Sequence, residues 1–133
     1  MKKIFVDSSY LIAIALNNDS NTQKALKLSV LLDEDCYVSD KVINGVVTVV
    51  NNRGNYKQAI KVYQYMVDNF KIINEHEIAN YNVKTIQIFE KYEGNLGFTD
   101  SAIIVTMLEY GIGNILSFDK GFLREGRINV IGI

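Results

Sequence analysis

The sequence predicts an α/β domain in which strands form one parallel sheet of four to five strands, with helices on both faces. Two observations carry that expectation. Short apolar runs rich in β-branched residues alternate with longer segments of helical spacing along the whole chain. The runs are apolar throughout rather than alternating, as strands buried on both faces of a parallel sheet are. Proline is absent, so Gly, Asn and Asp supply the breaks between elements.

Lys3 to Val6 reads as the first buried strand, and Ser8 or Ser9 as the cap of a helix reaching Leu16. Asn17 to Ser20 is a turn, and Thr22 to Leu32 has helical spacing. Tyr37 to Ser39 is the second strand. Ser39-Asp40 then caps a helix to about Val50, stopped by Asn51-Asn52-Arg53-Gly54. Tyr56 to Phe70 and Glu75 to Tyr92 are amphipathic helices around a strand at Lys71 to Asn74. Thr99 caps a helix from Asp100 to Tyr110, Gly111 and Gly113 end it, and Asn114 to Ser117 and Ile128 to Ile133 are the last strands.

A chain of 133 residues suits one domain, residues 1–133, with one core. Hydrophobic residues at 48% and charged residues at 22% are those of an ordinary soluble protein. The net charge of −1 excludes a general basic surface, so any grip on RNA must come from a local patch and a bound cation. The lone Cys36 permits no internal disulfide and suits a reducing, cytoplasmic setting. Two lysines precede an apolar N-terminal stretch, but Asp7 interrupts it, which argues against a signal peptide. No apolar run approaches the roughly 20 residues that span a bilayer.

In a parallel sheet the ligand site lies beyond the carboxyl ends of the strands. Asp7 ends the first strand, Asp119 closely follows the Ile115-Leu116 strand, and Asp100 lies in the first turn of its helix. The three are expected to meet at one edge, with carboxylates within about 8 Å of one another, the span of one cation and its bridging waters. Two such charges about 4 Å apart repel by roughly 4 kcal/mol at an effective dielectric near 20. A fold that gathers them holds a cation or shifts a pKa. All-oxygen ligation suits Mg²⁺ or Mn²⁺. Taken singly, Asp7 and Asp100 also read as helix-terminal residues, where Asp is common.

The stretch Ile4-Phe5-Val6-Asp7-Ser8-Ser9-Tyr10-Leu11-Ile12-Ala13 resembles the opening strand and helix of PIN domains. Gly97-Phe98-Thr99-Asp100-Ser101-Ala102 resembles their third acidic motif, and Ile115-Leu116-Ser117-Phe118-Asp119-Lys120-Gly121-Phe122 their fourth. The stand-alone versions are similar to the ribonuclease toxins of VapBC-type toxin–antitoxin pairs. The resemblance implies a three-layer PIN-like sandwich and a Mg²⁺- or Mn²⁺-dependent endoribonuclease. Asp7 and Asp100 would be its principal metal ligands, with Asp119 binding the metal or positioning the attacking water. It also implies a homodimer and inhibition by a small antitoxin protein.

One position departs from the pattern. The family places a Glu on the helix after the second strand, and in Val38-Ser39-Asp40-Lys41-Val42-Ile43-Asn44-Gly45-Val46 the aligned residue is Gly45. A Gly inside a helix costs about 1 kcal/mol relative to Ala, so local structure supplies no motive for it. Asp40 lies about 140° round the helix and is a poor substitute. Gly45 is therefore read as an inactivating change, whether natural, engineered or selected. The rival readings are a degenerate binding module for antitoxin or RNA, and a receiver-like domain with Asp40 as phosphoacceptor.

Ser9 and Ser117 are candidates to orient the carboxylates, against plain capping and turn roles. Lys41, Arg53, Lys120 and Arg124 flank the motifs and are candidate phosphate contacts, though lone basic residues are mostly solvated surface. His76 reads as a surface helix residue and Cys36 as a small buried one, while Glu93 and Glu109 read as exposed charges. Tyr56, Tyr63, Tyr65, Tyr81 and Tyr92 read as core or dimer packing. Val46, Val47, Val49 and Val50 put apolar groups on more than one helix face, which also points to a homodimer.

Overall fold

The computed structural model describes residues Met1–Ile133. Five strands, β1 (Lys3–Val6), β2 (Asp35–Ser39), β3 (Lys71–Ile73), β4 (Asn114–Leu116) and β5 (Asn129–Ile131), form one sheet in the order β3-β2-β1-β4-β5. Every pairing is parallel. β1 is central, and its Ile4, Phe5 and Val6 are fully buried, which is why it reads as a continuous apolar run.

The chain steps outward from β1 through β2 to β3, then returns across the sheet to β4. The outward steps carry α1 (Ser8–Ala15), α2 (Thr22–Lys27), α3 (Asp40–Arg53) and α4 (Tyr56–Asn69). The return carries α5 (Tyr81–Lys91) and α6 (Phe98–Glu109). α1 packs on α3 and α3 on α4, while α5 packs on α6. Right-handed crossovers running in opposite directions put these two groups on opposite faces, giving three layers. The strand order reverses between β1 and β4, the point at which sheets of this kind bind their ligands.

Several expected boundaries move, each for a local reason. The helix expected over 22–32 ends at Lys27, and Ser29–Asp33 is a 3₁₀ segment. There the Ser29 hydroxyl donates to the Leu26 carbonyl and competes with the helical ladder. The helix expected over 75–92 is divided into a 3₁₀ turn, Glu75–Glu77, and α5, with Asn80 in the left-handed region at φ 55° between them. α3 continues through Asn51-Asn52-Arg53, with Gly54 as its C-cap. α6 begins at Phe98 behind Gly97 rather than at a Thr99 cap, which keeps Asp100 in its first turn. β2 begins two residues earlier than expected, and β5 stops at Ile131.

The apolar surplus also lies elsewhere than expected. Val46 and Val50 are fully buried and Val47 and Val49 half-buried, so α3 spends its valines inside. The exposed stripe is on α4 instead: Tyr56, Ile60, Tyr63 and Val67 are 62%, 61%, 44% and 37% exposed. No helix is long and apolar enough to cross a membrane.

Candidate metal centre

The register of the sheet sets the site. Val6 pairs with Leu116, and the Asp7 N–H donates to the Leu116 carbonyl at 3.0 Å. The next residues, Asp7 and Ser117, therefore sit side by side at the carboxyl edge of the two central strands. Asp7 occupies the N-cap position of α1 yet makes no side-chain cap; the expected capping by Ser8 or Ser9 does not occur either. Its carboxylate, 4% exposed, is held by two serines instead. Ser9 Oγ and Ser117 Oγ each donate to Asp7 Oδ2 at 2.8 Å.

Each of those hydroxyls also accepts from the loop after β4. The Phe118 N–H donates to Ser9 Oγ and the Asp119 N–H to Ser117 Oγ, both at 3.0 Å. A hydroxyl has one proton, so with both given to Asp7 the 3.2 Å approach of the two serine oxygens is a contact and not a further bond. The result is a closed network in which loop amides orient the serines and the serines orient Asp7. Ser9 and Ser117 thus hold the carboxylate as the sequence suggested.

Asp119 is itself fixed. It is the N-cap of a 3₁₀ segment, Lys120–Arg124, and its Oδ1 accepts from the Gly121 N–H at 2.8 Å. Asp100, from the first turn of α6, comes within hydrogen-bonding reach of the Asp119 carboxylate. Burial above all, then the adjacent Asp119 and the charge of Asp7, push the Asp100 pKa up to about 8. Burial also raises that of Asp7, against the lowering effect of its serine hydrogen bonds. The fold therefore brings all three acids into one electrostatic cluster.

The donor set fits a hard cation: three carboxylates on rigid element ends, one of them strongly disfavouring its own ionisation. It is not a closed cage, since no three ligand-type side chains stand ready around a single point. Mg²⁺ bound through one or two carboxylates with several waters retained needs no such cage.

Gly45 lies in the second turn of α3, half-buried, flanking the face formed by Val42, Val46 and Val50. A Cβ built on it meets nothing within 4 Å, so the position has room for a side chain. Asp40 starts α3 behind β2, a strand beside the central one. A receiver-like phosphoacceptor belongs on the central strand, and here that strand is β1.

Of the basic candidates, Arg53 is engaged with Asp19 at 3.1 Å and Lys41 lies 5.1 Å from the centre of the Tyr81 ring. Lys120 and Arg124 are exposed beside the acids' own segment. His76 is exposed, as expected, and Cys36 is buried. Glu75 was not legible in the sequence: in Glu75-His76-Glu77 it looks like a surface charge, yet it is buried. Its Oε1 accepts from the Lys41 N–H at the start of α3. An apolar cavity of about 380 Å³ between α1 and α4, lined by Ile14, Leu32, Val62 and Tyr65 among others, lies apart from the acids.

The family model described as PIN domain matches residues 4–127. No curated protein sequence matches the chain significantly. Among solved structures, VapC20 of Mycobacterium tuberculosis, a sarcin-ricin loop cleaving toxin, superposes with a TM-score of 0.81 at 21% identity, over 92% of this chain and 95% of that one. VapBC2 of Rickettsia felis, bound to a DNA fragment of its promoter, gives 0.72 at 11% identity, with 97% of each chain covered. A toxin–antitoxin complex from Klebsiella pneumoniae gives 0.70 at 13%, over 96% and 95%. At these identities the superpositions speak for a shared fold.

Proposed function

This chain belongs to the PIN-domain family, and from that premise we propose that it is a toxin-type, metal-dependent endoribonuclease weakened by Gly45. The observation that supports the reading is Asp100, whose pKa is raised by burial, by the adjacent Asp119 and by the charge of Asp7. Such a cluster stores unfavourable charge that a divalent cation would relieve.

Asp7, Asp100 and Asp119 would hold Mg²⁺ or Mn²⁺. When bound, the ion would supply Lewis acidity toward a phosphodiester oxygen and make water a better nucleophile near neutral pH. The chain's own residues do the rest. Ser9 and Ser117 keep Asp7 Oδ2 in one orientation. The Gly121 N–H engages Asp119 Oδ1 and so fixes the rotation of that carboxylate. Burial, Asp119 and the charge of Asp7 raise the Asp100 pKa to about 8, a shift that a bound cation would oppose. Gly45 contributes no carboxylate to take a proton from water or to orient it.

The partners that fit this reading are an RNA substrate, a small antitoxin protein and a second copy of the chain, in the cytoplasm. The open space around Gly45 also favours a second reading, in which the fold persists as a binding module for antitoxin or RNA without cutting. Metal-dependent RNA cleavage by this chain and by Gly45→Glu, purified side by side, separates the two. Gly45→Glu should cut at least about 100-fold faster, the scale of a nucleophile misplaced by about 1 Å, and adding Asp7→Asn should abolish the gain. Equal activity of the two proteins would mean that Gly45 is not the vacant carboxylate position. No cutting by either would favour the binding module.

A further inference from the structure

Two glutamates are buried outside the acidic cluster, Glu75 and Glu125. Glu75 has its explanation in the start of α3. Glu125 has both carboxylate oxygens engaged: Tyr92 Oη donates to Oε2 at 2.5 Å, and Arg127 Nε donates to Oε1 at 2.6 Å. Arg127 adds a contact from Nη2 to Oε2 at 3.1 Å and one from its backbone N–H to Oε1 at 3.2 Å. The Glu125 side chain is 1% exposed while that of Arg127 is 52% exposed, so the carboxylate is the buried hub.

What this hub joins is informative. Glu125 is the C-cap of the 3₁₀ segment whose N-cap is Asp119. Tyr92 is the C-cap of α5, and the five residues after it lead into α6 and Asp100. That connection is tightly set, with Glu93 at φ 53° and Gly94 at φ 74°; a non-glycine residue there needs its surroundings to hold it. The two segments meet a second time nearer the acids, where a Cβ on Gly121 would come within 3.2 Å of Leu96 Cδ1. The Asp100 and Asp119 segments are thus pinned together at both ends. Two carboxyl groups held in mutual reach, and drawn onto one cation, need their segments fixed in place, and charge-assisted hydrogen bonds to a buried carboxylate are the strong kind.

We propose that Tyr92, Glu125 and Arg127 form a clamp that sets the spacing of Asp100 and Asp119, so that Tyr92 and Glu125 are positioning residues for cation binding. The proposal rests on the metal-site reading above and goes beyond it in assigning residues distant from the acids. Tyr92, read from the sequence as packing, acquires a polar task through its hydroxyl.

The test compares the parent chain with Tyr92→Phe, which removes one hydroxyl and keeps the ring, and with Arg127→Gln. Val62→Ala, in the core under α4, serves as a control of general destabilisation. Mn²⁺ affinity is read by calorimetry and local opening by amide hydrogen exchange. Removing a group bonded directly to a ligand costs roughly 10- to 100-fold in affinity, so this more distant clamp should cost about 3- to 10-fold. Both clamp variants should lose protection together over residues 93–101 and 117–124, and Val62→Ala should change neither readout there. Unchanged Mn²⁺ affinity in Tyr92→Phe and Arg127→Gln, or an equal loss in Val62→Ala, overturns the clamp while leaving the metal site standing. If neither the parent chain nor Gly45→Glu binds Mn²⁺, the metal-site reading is overturned and the clamp's role falls with it.

Discussion

Asp100 is a residue at which burial and neighbouring charge both oppose ionisation. Its pKa in the fold is about 8 against an ordinary 3.8, burial being the main cause and Asp119 the next. In the unfolded chain it ionises at the ordinary value. A raised carboxyl therefore leaves stability intact below about pH 4 and erodes it as pH rises through about 8. Asp100→Asn removes that charge, so in chelator the variant should melt above the parent, with an advantage larger near pH 8 than near pH 5. The same change should weaken Mn²⁺ binding, the sign opposite to its effect on stability. An advantage that does not vary with pH would remove Asp100 from the charge cluster. Asp7 shows why the identity of a residue and its role must be separated. In the sequence it stands where a helix cap stands, but its carboxylate turns to Ser9 and Ser117.

At the scale of elements, α4 carries two apolar stripes. Ala59, Val62 and Met66 face the core, while Tyr56, Ile60, Tyr63 and Val67 face outward at spacings of four, three and four. That is a short helical seam of the a/d kind. Its ends are oppositely charged, with Lys57 near the start and Asp68 near the finish. An antiparallel copy places Tyr56 against Val67 and Ile60 against Tyr63, and Lys57 near Asp68. A parallel copy would set lysine against lysine. The proposed homodimer is therefore expected through antiparallel α4, with two-fold symmetry. Light scattering should show a dimer at tens of micromolar and a monomer for Ile60→Asp. A monomeric parent at that concentration would remove the seam from use. Of the α3 valines from which the sequence suggested self-association, Val46 and Val50 are buried in the chain's own core and Val47 and Val49 are half-buried.

For the molecule as a whole, the acid limit of stability should be set in part by Glu125. Arg127 above all, with Tyr92, lowers its pKa from 4.5 to about 2. A lowered carboxylate stabilises the fold above its unfolded value, and that stabilisation is lost as pH falls from about 4.5 through about 2. Glu125→Gln should therefore cost about 2 kcal/mol at neutral pH, the scale of hydrogen bonds to a charged group. The cost should shrink as the pH approaches 2. Urea unfolding of both proteins at neutral and acid pH measures it, and a cost independent of pH would show that the charge of Glu125 is not what matters. Asp100 and Glu125 thus give the protein opposite pH dependences from two ends of one connected segment pair.

The amino-acid sequence by itself determined the alternation of strands and helices, the parallel sheet and the placement of Asp7 and Asp119 at its carboxyl edge. These follow from local and periodic properties: apolar runs such as Ile4-Phe5-Val6 suit only a strand buried on both faces, and acids just after strands must lie at the carboxyl edge. The resemblance to family motifs added the expectation that Gly45 stands where a Glu is usual, which no periodicity reveals. Tertiary structure decided what depends on partners distant along the chain. The register Val6 to Leu116 placed Ser117 beside Asp7, across 110 residues. The packing of two connections on each other buried Glu125 under Tyr92. Glu75 went inside because the start of α3 offers it an N–H. A single charged residue carries no local signal for such a fate, because its burial is favourable only once a donor from elsewhere stands opposite it.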